Sequence, residues 1–152
     1  MLGDINGSIR QWVNLFLNDK EYPEDMFVTH EQARKIVDHD TVVVVVDTNR
    51  PSMTECSEIL NQTRTIVVLD HHRQSSEVIK NAVLSYIEPY ASSACEMIAE
   101  ILQYFADDIR LKGKEADCIY AGIIIDTNNF IGENRGTAPL KRQHSYADVE
   151  QM

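Results

Sequence analysis

The sequence predicts an α/β fold with an open, mainly parallel sheet flanked by helices. Two runs rich in β-branched residues, 41–47 and 65–69, read as strands, and each leads into a carboxylate, Asp47 or Asp70. A capped segment with helical spacing lies between them, and the stretch 41–70 covers 30 residues, the size of a βαβ unit. Such a crossover makes its two strands parallel, so Asp47 and the triplet Asp70-His71-His72 are expected at one sheet edge. That carboxyl edge is where open α/β sheets bind ligands.

Each element has a local signal. Residues 3–18 read as a strand remnant followed by a helix carrying Ile9, Trp12, Val13, Leu15 and Phe16. Thr29-His30-Glu31-Gln32 fits a capping box, and Ala33, Ile36 and Val37 keep helical spacing, which predicts a short helix ending near Asp38. Thr48-Asn49-Arg50-Pro51 ends the first strand with turn chemistry. Ser52-Met53-Thr54-Glu55 fits a second capping box and predicts a helix whose inner face is Cys56, Ile59 and Leu60. Residues 82–87 read as a third strand. Ser92-Ser93 then offers a cap, with Glu96 three residues beyond Ser93, to a helix whose apolar stripe is Met97, Ile98, Ile101, Leu102 and Phe105. Ala116, Ile119, Tyr120, Ile123 and Ile124 repeat that spacing, predicting a last helix over 114–126 that ends at Asp126. Beyond Gly132 the periodicity fails, so the chain divides into a domain over 1–130 and an irregular tail over 131–152.

Composition narrows the function classes. The net charge of −10 opposes binding of long nucleic acids, whose phosphates a groove must neutralise with Lys and Arg. A small phosphate ester stays open, because a metal centre supplies positive charge locally. No apolar run approaches the about 18 residues of a membrane span, and the three cysteines do not form a disulfide framework, which points to a reducing cytoplasm. His30 and His39 read as solvated, His144 in the unmatched tail as inert, and the cysteines as small packing groups.

Asp47, Asp70, His71, His72 and Asp126 each follow a predicted apolar element. Mixed carboxylate and imidazole donors suit Mn²⁺, Mg²⁺, Fe²⁺, Co²⁺ or Zn²⁺ and point to metal-assisted phosphate hydrolysis. Asp47-Thr48-Asn49-Arg50-Pro51, Asp70-His71-His72 and Gly122-Ile123-Ile124-Ile125-Asp126-Thr127 resemble, in order, three motifs of the DHH phosphoesterase superfamily. Ile87-Glu88-Pro89-Tyr90-Ala91-Ser92-Ser93 and the stretch from Asp4 to Arg10 are similar, more narrowly, to the bacterial cyclic-di-AMP phosphodiesterases of that superfamily.

The resemblance implies a phosphodiesterase that hydrolyses a cyclic dinucleotide with a hydroxide activated by two Mn²⁺ ions, Mg²⁺ or Co²⁺ being substitutes. It makes Asp47 the bridging carboxylate, His71 and Asp126 further metal ligands, His72 the residue facing the substrate phosphate, and Asp70 a support for an imidazole. It also implies a small-molecule partner and allows a homodimer. The family's first motif, a His and two Asp after an earlier strand, has no match in residues 1–40, and 132–152 match nothing downstream in the family. The chain is therefore expected to be a piece of a longer catalytic domain. A non-catalytic nucleotide-binding module of the same fold is the competing expectation. Pyrophosphatase and exonuclease relatives share the triplet.

Overall fold

The computed structural model describes residues 7–106 and 109–127. The expected strand remnant before residue 7, the first part of the stretch from Asp4 to Arg10, and the expected tail lie outside the described residues. Helices α1 (Gly7–Leu17) and α2 (His30–Ile36) precede strand β1 (Val42–Val46). Strand β2 (Thr65–Asp70), strand β3 (Leu84–Ile87) and helices α3 (Ala94–Phe105) and α4 (Gly113–Asp126) follow. The strands form one sheet in the order β1-β2-β3. β1 and β2 are parallel, with Val42 opposite Thr65 and Val46 opposite Leu69. The Val83 amide donates to the Ile66 carbonyl at 2.8 Å and the Glu88 amide to the Asp70 carbonyl at 2.9 Å, so partners rise together and β3 runs parallel too. The predicted α/β class is the one observed.

The described residues divide into two compact units. One runs to Leu69 and includes Gln74–Tyr86; the other comprises Asp70–Arg73 and the chain from Ile87 onward.

In the first unit β2 is the central strand, and Ile66 and Val68 are fully buried. β1 is an edge strand, so its side chains alternate: Val45 is buried, whereas Val42, Val44 and Val46 are exposed. Val43 packs against the cluster of Ala33 from α2 with Cys56 and Ile59, which is how a helix comes to flank this sheet. The capping box at Thr29 forms in full: its hydroxyl accepts from the Gln32 amide, and the Gln32 carboxamide oxygen accepts from the Thr29 amide at 2.8 Å. Val13 and Phe16 are the buried positions of α1, and Phe16 meets Tyr22 edge to face, ring centroids 4.9 Å apart.

The helix expected from Ser52 does not form. Two short 3-10 turns, Pro51–Met53 and Ser57–Asn61, replace it. The reason is tertiary: the Ser52 amide and hydroxyl both donate to the Glu77 carboxylate, at 2.9 and 2.8 Å, so Ser52 is not left to cap a local helix. These bonds hold the Glu77 carboxyl below its ordinary range. Cys56, Ile59 and Leu60 nevertheless point inward as expected, all buried. The Ile79 amide donates to the Asn49 carbonyl and the Asn81 carboxamide to the Leu60 carbonyl, tying the loop before β3 to the crossover.

In the second unit α3 and α4 pack together. Ser93 is the N-cap of α3, its buried hydroxyl accepting from the Glu96 amide at 3.0 Å. The Glu96 carboxylate does not close the box on Ser93; it accepts from the amide and hydroxyl of Ser92, at 2.6 and 2.7 Å. Ser93→Ala strips a buried cap and should lower unfolding free energy by about 1–2 kcal/mol, read from urea denaturation; an unchanged midpoint would show the cap to be dispensable. The buried face of α3 is Ala94, Glu96, Met97 and Ala99, whereas Phe105, expected in the stripe, is 76% exposed. Small residues let the first turns approach their neighbours closely, and the stripe runs out before the helix ends. No helix among the described residues is long and apolar enough to cross a membrane.

Candidate metal and phosphate site

Asp47 is the first residue past β1. Its amide donates to the Leu69 carbonyl at 3.0 Å, extending the ladder one residue beyond the pair Val46 and Leu69. Leu69 immediately precedes Asp70, so the parallel register puts Asp47 at the strand edge from which the triplet departs. This is the placement that the two β-branched runs predict. At Asp47 the backbone turns left-handed, with φ 68°, the one positive φ at a non-glycine among the described residues. Asp is one of the few side chains that tolerates this region, and such conformations concentrate at functional sites. The sequence signal was weak: an acid followed by Thr48 and Asn49 is common turn chemistry.

The other four predicted residues belong to the second unit. Asp70 is fully buried. Its Oδ1 accepts from the His72 amide at 3.1 Å and lies 2.8 Å from His72 Nδ1. A carboxylate oxygen can only accept, so Nδ1 carries the proton and Nε2 sits on the opposite side of the ring. The side chain of His72 is 58% exposed, whereas that of His71 is only 10% exposed. The two imidazoles lie 4.4 Å apart between centroids, tilted by 57°.

His71 Nε2 lies 3.8 Å from Asp126 Oδ2. Asp126 is the last residue of α4, and Thr127 closes the helix, its amide and hydroxyl donating to the Ile123 carbonyl at 3.0 and 2.7 Å. A helix C-terminus carries partial negative charge, so a carboxylate there is unfavourable unless a cation answers it. The last turn of α4 contains no basic residue. Carboxylate and helix end together make a locus that attracts a cation.

These residues fit a divalent metal ion. His71 offers an imidazole nitrogen and Asp126 a carboxylate oxygen, the mixed donor types of first-row divalent metals. At bond lengths of about 2.0–2.2 Å, two ligands of one ion lie within about 4.4 Å of each other, a limit that the 3.8 Å between His71 and Asp126 respects.

Residues 5–123 match the family described as DHH family, N-terminal domain. The chain is 42% identical over 113 residues to the cyclic-di-AMP phosphodiesterase GdpP of Bacillus subtilis, covering 73% of this chain and 17% of that protein. It is 39% identical over 127 residues to the cyclic-di-AMP phosphodiesterase PdeA of Listeria monocytogenes, covering 82% and 19%. The chain thus spans less than a fifth of the length of these two relatives. In fold it resembles an exopolyphosphatase-related protein from Bacteroides fragilis, with a TM-score of 0.67 and 20% identity, over 89% of this chain and 40% of that one. Three ordered motifs, two at strand ends and one at a helix end, and a family match over most of the chain converge, and the chain belongs to the DHH family.

Proposed function

We propose that this chain is the part of a metal-dependent phosphodiesterase catalytic domain that acts on a cyclic dinucleotide of the cyclic-di-AMP type. The observation that carries the proposal is His71 Nε2 standing 3.8 Å from Asp126 Oδ2 at the C-terminus of a helix whose last turn holds no basic residue. Asp47, His71 and Asp126 are the metal ligands in this reading. When bound, a divalent ion, Mn²⁺ with Mg²⁺ or Co²⁺ as substitutes, supplies Lewis acidity and lowers the pKa of a water at neutral pH.

The chain's own residues do the rest. His72, held through Nδ1 by buried Asp70, keeps Nε2 as the atom that meets a phosphate oxygen of the substrate. Asp70 thereby positions the phosphate contact, while His71, mostly covered, holds its place at Asp126. Strand edges, rather than a flexible loop, set both Asp47 and Asp70, which favours a site built in advance of binding. Similarity to two cyclic-di-AMP phosphodiesterases supports the cyclic dinucleotide as substrate. A cytoplasmic setting belongs to the same reading, supported by three free cysteines.

Calorimetric titration of the chain with Mn²⁺, followed by chromatography of cyclic-di-AMP incubated with chain and Mn²⁺, tests the proposal. Expected are a Mn²⁺ site lost in His71→Ala and Asp126→Ala, and a linear dinucleotide product. Mn²⁺ binding with no product would favour the non-catalytic nucleotide-binding module, and no Mn²⁺ binding at all would remove the metal assignment.

A further inference from the structure

We infer that Gly122 is a positioning residue for the metal site: the absence of a side chain there lets α4 lie against Cys95 of α3, and that contact sets where Asp126 stands opposite His71. The inference rests on the reading of His71 and Asp126 as metal ligands. A Cβ added to Gly122 would lie 2.3 Å from Cys95 Sγ and 3.3 Å from Cys95 Cβ, whereas one added to Gly113, at the start of the same helix, would meet nothing within 4 Å. Glycine inside a helix is destabilising relative to alanine, so its presence in the third turn of α4 calls for a compensating contact. The close approach to Cys95 is that contact.

The geometry links this contact to the site. Gly122 and Asp126 are four residues apart, on one face of α4 and separated by about 6 Å along its axis. Cys95 is the second residue of α3, in the turn that the Ser93 cap anchors. A run of fixed points results: Ser93 holds the first turn of α3, Cys95 sets the height and depth of α4, and Asp126 ends one turn beyond the contact. Rotating the Cys95 sulfur away would leave the two β-carbons 3.3 Å apart, a contact that a shift of a few tenths of an ångström relieves, so the cost of a side chain at position 122 is set by the place of that sulfur. With the sulfur kept in its place, restoring an ordinary separation of about 3.4 Å from 2.3 Å moves the helices apart by about 1 Å. Metal–ligand distances tolerate only about 0.2 Å, so a displacement of that size at Asp126 degrades the site.

The test compares the parent chain with Gly122→Ala, Cys95→Ala and the double variant, by Mn²⁺ calorimetry and thermal unfolding. Gly122→Ala should weaken Mn²⁺ binding by about 10-fold or more, the scale of losing a group that orients a ligand. It should also lower the melting temperature, although alanine is the better helix former. Cys95→Ala should weaken binding less than Gly122→Ala does, and the double variant should recover most of the affinity lost in Gly122→Ala because only the two β-carbons then meet. A Gly122→Ala chain that melts higher and binds Mn²⁺ like the parent would overturn the inference while leaving the metal site standing, as would a double variant no better than Gly122→Ala. If the parent itself shows no Mn²⁺ site sensitive to Asp126→Ala, the functional reading fails and the inference with it.

Discussion

Replacing Asp47 by Asn should leave the chain as stable as the parent and weaken Mn²⁺ binding by more than about 100-fold, beyond the 10–100-fold typical of losing a supporting group. The two halves of this result have separate causes. Asp47 sits at φ 68°, and Asn, like Asp, enters the left-handed region at little cost, so the backbone does not register the change. The carboxamide keeps the shape of the carboxylate but has no charge to set against a divalent cation. Asp47→Ala is the less clean experiment, because a β-carbon without a compensating polar group at this φ costs about 1–2 kcal/mol on its own. Asp47→Gly should be as stable as the parent, or more so, while failing to bind metal. Urea denaturation and Mn²⁺ calorimetry on the three variants separate strain from ligation. Parental affinity in Asp47→Asn would remove Asp47 from the metal set, and equal stability of the Ala and Asn variants would show that the left-handed turn carries no strain.

Much of this arrangement is legible in the sequence because it is governed by local periodicity. The β-branched runs before Asp47 and Asp70 became parallel neighbours in the expected register edge, and the spacing of Ile119, Ile123 and Ile124 placed Asp126 at a helix end. Capping at Thr29 succeeds with both of its bonds, to and from Gln32, inside one four-residue window. The same reasoning fails at Ser52, where the pattern is equally good but a carboxylate 25 residues away, Glu77, captures both the amide and the hydroxyl. Long-range partners are invisible to a four-residue window. The left-handed Asp47 and the contact of Gly122 with Cys95 escape for a related reason: each is a demand made by the neighbouring element. Phe105 shows the converse, an apolar residue at the correct spacing that its helix leaves exposed because nothing packs over its last turn among the described residues. Identity and order of the site residues are sequence information; the contacts that set their positions are not.

Asp70→Ala should destabilise the chain by about 1–3 kcal/mol and lower the proposed phosphodiesterase turnover by about 10–100-fold, with Mn²⁺ affinity nearly unchanged. Asp70 is fully buried and its Oδ1 serves both the amide and the ring of His72, at 3.1 and 2.8 Å. Burying a carboxylate is costly, but hydrogen bonds to a charged acceptor contribute about 1.5–3 kcal/mol each, and removing the acceptor leaves two donors and a void. Stability therefore falls. The proposed metal ligands His71 and Asp126 do not depend on the bonds from Asp70 to His72, so the loss should appear in turnover and not in metal binding. His72→Ala supplies the decisive comparison. If Asp70 acts through His72, the double variant should turn over no more slowly than His72→Ala alone, the non-additivity that marks two residues working as one unit. Full additivity would mean that Asp70 serves the reaction by another route, and a large fall in Mn²⁺ affinity in Asp70→Ala would make the buried carboxylate a support of the proposed ligand His71 rather than of the proposed phosphate contact His72.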